Sequence, residues 1–161
     1  MLEPQISKFS SHTEFGDLIR QCLERACHLV QLFDPDYSTW LLGGVEVVDT
    51  LRHFLRSGAF TRIELAMHGP THLERNCPRF IALLAEYGHS IECRVTPRNL
   101  QLLTDSFAVS DGINTVRRFH ADHFRGEAAF NSAAGAAICI ERFNAIWSES
   151  RPILQNTRLS I

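Results

Sequence analysis

Lysine is nearly missing from this sequence. Of sixteen basic side chains fifteen are arginine, and the single lysine is Lys8. Any mechanism that needs a lysine in the body of the chain is thereby excluded. No apolar run approaches the roughly 20 residues that cross a bilayer, so no membrane segment is expected. The opening MLEPQISKFSSHTEFGD lacks a basic start followed by an apolar stretch, which argues against a signal peptide. Gly-x-Gly-x-x-Gly, Walker and Gly-x-Ser-x-Gly patterns are all absent, which removes the usual dinucleotide, nucleoside-triphosphate and serine-hydrolase signatures. Positive charge is not in excess: the net formal charge is -2 and the pI about 6.4, so a nucleic-acid partner is not called for. The five cysteines (Cys22, Cys27, Cys77, Cys93, Cys139) are odd in number and form no Cys-x-x-Cys. They read as reduced, mostly buried thiols of a cytoplasmic protein.

What remains is an ordinary globular composition, 45% hydrophobic and 21% charged over 161 residues, enough for one sizeable core. No repeat, low-complexity tract or linker interrupts it. The expected organisation is an N-terminal extension over 1–12 and a single domain over 13–161. After the Ser10-Ser11-His12-Thr13 cluster, Phe15, Leu18, Ile19, Cys22, Leu23 and Ala26 recur at helical spacing. Leu29 to Phe33 reads as a short buried strand, stopped by Asp34-Pro35-Asp36. Past Gly43-Gly44, positions Val47, Val48, Leu51, Phe54 and Leu55 mark a second helical face, closed by Ser57-Gly58.

Ile63, Leu65 and Met67 alternate as a strand. Thr71 and Glu74 have capping-box spacing, yet Pro78 favours a helix start nearer Cys77. Phe80, Ile81, Leu84 and Tyr87 form that helix's buried face, and Ile91, Cys93 and Val95 alternate again. Phe107 and Val109 lie in a further strand with Asp111-Gly112 as its turn, another strand falls near Val116 to His120, and a last helix runs from about Ser132 to Glu149. Strands alternating with helices of these lengths predict a layered α/β domain. Its sheet would be mixed but largely parallel, with helices on both faces and a later antiparallel part.

The stretch TDSFAVSDG, residues 104–112, resembles the His-x-Lys-x-x-x-x-Asp-Gly signature of phospholipase-D-like domains. Asp111-Gly112 takes its Asp-Gly end, Thr104 falls at the His and Ser106 at the Lys. The Gly126 to Asn131 segment and the Phe143-Asn144-Ala145-Ile146-Trp147 pattern resemble the family's glycine- and asparagine-containing segment and closing helix. The chain also looks like a group of small uncharacterised bacterial domains of this class, which occur alone or behind acetyltransferase domains. They share an Asp-and-aromatic loop (here Asp34 to Trp40), an Asp-containing strand (Asp105 to Asp111), a Phe…Trp-x-x-Ser helix (Phe143 to Ser150) and a terminal Arg-x-Leu tail (here, without the spacer residue, Arg158-Leu159). In the active family the His attacks phosphorus and the Lys holds phosphate oxygens. Thr104 and Ser106 are neutral hydroxyls with no evident base beside them, and His123-Phe124-Arg125 has Phe130 where the Asp would stand. The resemblance therefore implies a phospholipase-D-like pseudoenzyme without a cofactor, a binding or regulatory module. Because the family's active site is built from two motif copies, it also implies a homodimer.

Three site readings stay open. Arg94, Arg98, Arg117 and Arg118, with Ser106, cluster in sequence around the former active site and could accept an anion by bidentate contact. The alternative is solvated arginines paired with Glu92, Asp105, Asp111 or Glu127. His120-Ala121-Asp122-His123 could bind a metal, or serve acid-base chemistry with Asp111 or Asp122, if its imidazoles shared a face; a polar loop is the plainer reading. Finally, the chain could be a structural partner of another protein such as an acetyltransferase.

Overall fold

The computed structural model describes residues 3–154. Its elements run β1 (Gln5–Phe9), α1 (His12–Glu24), β2 (Leu29–Phe33), α2 (Val45–Arg56), β3 (Arg62–Met67), α3 (Thr71–Asn76), α4 (Pro78–Glu86), β4 (Ile91–Val95), β5 (Ser106–Ser110), β6 (Asn114–Arg118), β7 (Gly126–Phe130), α5 (Ala133–Glu149) and β8 (Arg151–Ile153), with a 3₁₀ turn at Arg98–Leu100. Ser11 caps α1: its hydroxyl accepts the Glu14 N–H at 3.1 Å while the Glu14 carboxylate accepts back from the Ser11 hydroxyl and the Ser10 N–H. Ser132 caps α5 in the same way through the Gly135 N–H. Between them the chain spaces its apolar residues as the periodicity predicts.

All eight strands form one sheet in the order β1-β7-β6-β5-β2-β3-β4-β8. Parallel pairing is confined to β2–β3 and β3–β4. The other pairings (β1–β7, β2–β5, β4–β8, β5–β6 and β6–β7) are antiparallel, so the sheet is mixed rather than largely parallel. Helix crossovers separate only the first three core strands; from β5 to β7 short turns force antiparallel neighbours.

Helices cover both faces. On one, α1 to α4 bury Phe15, Ile19, Leu51, Phe54, Phe80 and Leu83 against Val30, Leu32, Ile63 and Leu65. On the other, α5 alone packs Ala136, Cys139, Phe143 and Ile146 on Phe33, Ala66, Phe107 and Val109.

Three differences from the sequence reading follow from backbone pairing. Residues 5–9 of the expected N-terminal extension are an edge strand, held to β7 through register pairs such as Ile6 with Ala129. Their side chains are exposed up to Phe9, so no apolar alternation betrays them. The Thr71/Glu74 and Pro78 signals are both used: two helices meet at Cys77, because Pro78 has no N–H to continue the first. Thr71 is nonetheless not a capping residue; Pro70 takes that position without a side-chain bond. The Arg158-Leu159 tail lies outside the described residues.

Candidate functional site

Ser106 opens β5 and stands opposite Arg118, the last residue of β6. Both are buried, at 0% and 2% exposure. The loop after β2 folds across this end of the sheet and fills it. There the Trp40 indole N–H lies 3.0 Å from the Ser106 hydroxyl and 3.0 Å from Asp34 Oδ1. Arg118 donates to Asp34 Oδ1 at 3.2 Å and to Thr39 Oγ1 at 2.9 Å. The other Asp34 oxygen accepts the backbone N–H groups of Asp36 and Tyr37 at 3.0 and 2.7 Å, a local turn that explains Asp at this position. Tyr37, at φ 64°, donates its hydroxyl to the Ala66 carbonyl at 2.7 Å. Phe15 and Phe124 flank the Arg118 guanidinium, with ring centroids 4.9 and 5.0 Å away. Its Nε is the one buried side-chain nitrogen or oxygen without a hydrogen-bond partner among the described residues. Burial pulls this guanidinium below its usual pKa, and the Asp34 carboxylate opposes that pull.

Thr104 lies in the half-buried segment before β5, and its carbonyl accepts the Ala121 N–H at 2.8 Å. The two motif positions thus sit at one sheet end, under the Phe119–Arg125 connection. Asp111 sits at the other. It follows β5 in a left-handed conformation, φ 55°, and its carboxylate accepts the backbone N–H groups of Cys27, His28 and Leu29 at 2.8, 2.8 and 3.0 Å. A five-residue strand at about 3.3 Å per residue separates it from Ser106. Asp111 therefore does not meet His120 or His123, which follow Arg118.

The remaining arginine candidates do not converge on Ser106. Arg94, on β4, is drawn to Glu92 Oε2 at 2.6 Å and to the Trp147 carbonyl at 2.9 Å, and stacks over the Trp147 ring. Arg98 is exposed on the 3₁₀ turn. Arg117 alternates with Arg118 and so leaves the opposite sheet face, over the Phe119 ring and beside α5. His120 and His123 lie in a loop, their rings 5.7 Å apart, and the His120 ring nitrogen accepts the Asp122 N–H. No group of three or more His, Cys, Asp or Glu side chains is drawn together for a metal among the described residues.

Sequence reasoning passed over His68, at the end of β3. Its ring spans Thr96 Oγ1 at 2.6 Å and the Leu103 carbonyl at 2.7 Å, tying the segment that leads into Thr104 to β4. A carbonyl only accepts, so Nε2 carries a proton and donates to Leu103. A lone His before Gly-Pro carries no sequence signal for this role. Among the thiols, burial raises Cys22 and Cys93 to about 12 and Cys139 to about 11. Cys27 is the exposed one.

An eight-stranded mixed sheet between α1–α4 and α5 is the phospholipase-D-like fold. Nuc from Salmonella typhimurium, a phospholipase D family member, superimposes with a TM-score of 0.69 at 14% identity over 96% of this chain and all of that one. NucT from Helicobacter pylori gives 0.63 at 10% identity over 94% of this chain and all of its own. TrmBL2, an archaeal chromatin protein described with a novel mode of DNA binding, gives 0.69 at 14% identity over 92% of this chain and 55% of that one. At these identities the likeness is one of fold. No curated protein matches significantly. The family described as domain of unknown function DUF7931 matches residues 11–159, and the chain belongs to it.

Proposed function

We propose that this protein is a phospholipase-D-like domain without phosphodiesterase chemistry, which works as a binding or regulatory module. The observation that carries this is the hydrogen-bonded set Ser106–Trp40–Asp34–Arg118 in the seat of the motif. Attack on phosphorus needs an activated nucleophile beside free cationic donors. Here the lysine position is a hydroxyl facing an indole N–H, and the buried Arg118 cation is neutralised by a carboxylate. An anion enters only by displacing Asp34. Of the five anion candidates, Ser106 and Arg118 are the pair that could then receive it.

Phosphodiesterase assays with bis(p-nitrophenyl) phosphate test the first half. The expected result is no turnover above the blank; turnover that Ser106→Ala or Arg118→Met removes would overturn the reading. Titration with inorganic phosphate, followed by melting temperature, tests whether the Ser106–Arg118 seat is closed to anions. The wild-type protein should not respond, and a saturable response would show an open anion site. By analogy with single-motif domains the protein is a homodimer, and static light scattering that returns a monomer at high concentration contradicts that. The odd cysteine count supports a cytoplasmic setting, and no helix among the described residues is long and apolar enough to cross a membrane.

A further inference from the structure

A second opening lies at the far end of the sheet from Ser106. It is a groove of about 920 Å³ between the C-terminal halves of α1 and α2, a size suited to a small ligand. Leu23 and Phe54 form its apolar floor, and the 97%-exposed Phe60 lies along it. A fully exposed phenylalanine beside an apolar hollow offers a ring face to whatever enters.

The charge of the groove has one sign. Glu24 and Asp49 line it, with His28 and His53, and no lysine or arginine does. Arg20 and Arg52, both half-buried, pair with these carboxylates at 3.4 Å from outside the lining; the carboxylates are 55% and 63% exposed, so solvent screens the pairs. Both helices also end here, α1 at Glu24 and α2 at Arg56, so the negative ends of two helix dipoles face the groove, offset in part by the Arg25 and Arg56 guanidiniums at those ends. The wall is preorganised. Cys27, His28 and Leu29 are held through their N–H groups by Asp111, so the retained acid of the motif braces this groove and not the Ser106 end.

We propose that this groove binds a cationic aromatic small molecule, an aryl ring joined to a protonated amine. The ring lies on Leu23, Phe54 and Phe60, and the ammonium faces Glu24 and Asp49. The site is independent of the reading given for Ser106.

Cys27 provides the test, because it lines the groove and the other four thiols are buried. Its modification by the uncharged reagent 4,4′-dithiodipyridine is followed in the presence of tryptamine, indole or indole-3-acetate. Tryptamine should protect Cys27 saturably, about tenfold more tightly than indole-3-acetate, the preference expected of two exposed carboxylates. Glu24→Gln combined with Asp49→Asn should remove the preference while leaving the melting curve unchanged. Equal protection by all three compounds, no protection, or a preference that survives the double substitution overturns the proposal. Protection by the peptide Lys-Trp-Lys but not by tryptamine would also overturn it, since the groove would then take a polypeptide.

Discussion

Replacing Asp34 by Asn tests whether the motif seat is closed by charge. Asp34 accepts four N–H groups: Trp40 and Arg118 at one oxygen, Asp36 and Tyr37 at the other. An amide keeps one acceptor and turns a second N–H donor toward two of these four. It also leaves the Arg118 guanidinium, 2% exposed, without a counter-charge. Removing one partner of a buried ion pair costs about 3–5 kcal/mol. With an unfolding entropy of about 2.1 cal/mol/K per residue, 161 residues give roughly 0.34 kcal/mol/K, so the melting temperature should fall by about 9–15 °C. The freed guanidinium should then take an anion. Phosphate, to which the wild type should be silent, should raise the melting temperature of Asp34→Asn with concentration, as mass action requires of a ligand that binds only the folded state. Adding Arg118→Met removes the orphaned charge, so the double variant should be more stable than Asp34→Asn and indifferent to phosphate. Urea unfolding of all three variants, with and without phosphate, reads every term. A loss below about 1 kcal/mol for Asp34→Asn would refute the reasoning, because it would mean that Arg118 is already solvated and the seat is open.

Other outcomes follow from the same geometry. Native protein at neutral pH should present a single fast-reacting thiol, and Cys27→Ser should abolish it; two or more fast thiols would contradict the burial of Cys22, Cys77, Cys93 and Cys139. Cys22, Cys93 and Cys139 hold their protons to about 12, 12 and 11, whereas an unfolded chain loses them near about 8.5. Their contribution to stability is thus complete below that range and lost as pH rises toward 11–12, by about 1 kcal/mol per thiol per pH unit, which pH-dependent urea unfolding measures. Gly126 opens β7 against β6, where a methyl group would lie 2.0 Å from the Arg117 carbonyl oxygen and 2.5 Å from the Phe9 ring. Gly126→Ala should cost at least ~3 kcal/mol by equilibrium unfolding, and a neutral result would mean that the β1–β7–β6 edge is loose.

The strands that build the middle of the sheet were legible because their side chains pack on both sides or alternate cleanly. Leu29–Phe33 and Ile91–Val95 are examples. The edge strands β1 and β8, and β7 beside β1, were not. Gln5–Phe9 exposes four of five side chains, Gly126–Phe130 is built of small residues, and Arg151–Ile153 has three residues including a proline. Backbone pairing with neighbours distant in sequence makes these strands, and composition does not record it. The site divides in the same way. The Asp34–Trp40 loop and Arg118 could each be singled out, but their meeting spans 84 positions and no local spacing encodes it. Arg117 and Arg118 are adjacent in the chain, yet strand alternation sends one to each face of the sheet, so a cluster of arginines in sequence did not become a cluster in space.

On the proposed reading the two halves of the motif-like stretch answer to different physics, and building the family's His and Lys into it should therefore fail. Asp111 is useful to the fold of this chain. Its carboxylate satisfies three backbone N–H groups that would otherwise lack partners, whatever chemistry the other end performs. Thr104 and Ser106, aligned by resemblance with the family's His and Lys, have no such use, and the space around Ser106 is filled. Ser106→Lys would place an ammonium at a fully buried point, opposite Arg118 in the strand register and against the Trp40 indole N–H, itself a donor. One Asp34 carboxylate would then face two cations and a surplus of donors, and the new charge would carry an uncompensated desolvation cost of several kcal/mol. Thr104→His/Ser106→Lys is accordingly expected to unfold at lower denaturant than the wild type and to show no phosphodiesterase activity. Only variants that also vacate the Asp34–Trp40 wedge could make room for phosphate. A stable, active double variant would show that the wedge yields to a cation, and that the seat is held shut by far less than the buried ion pair implies.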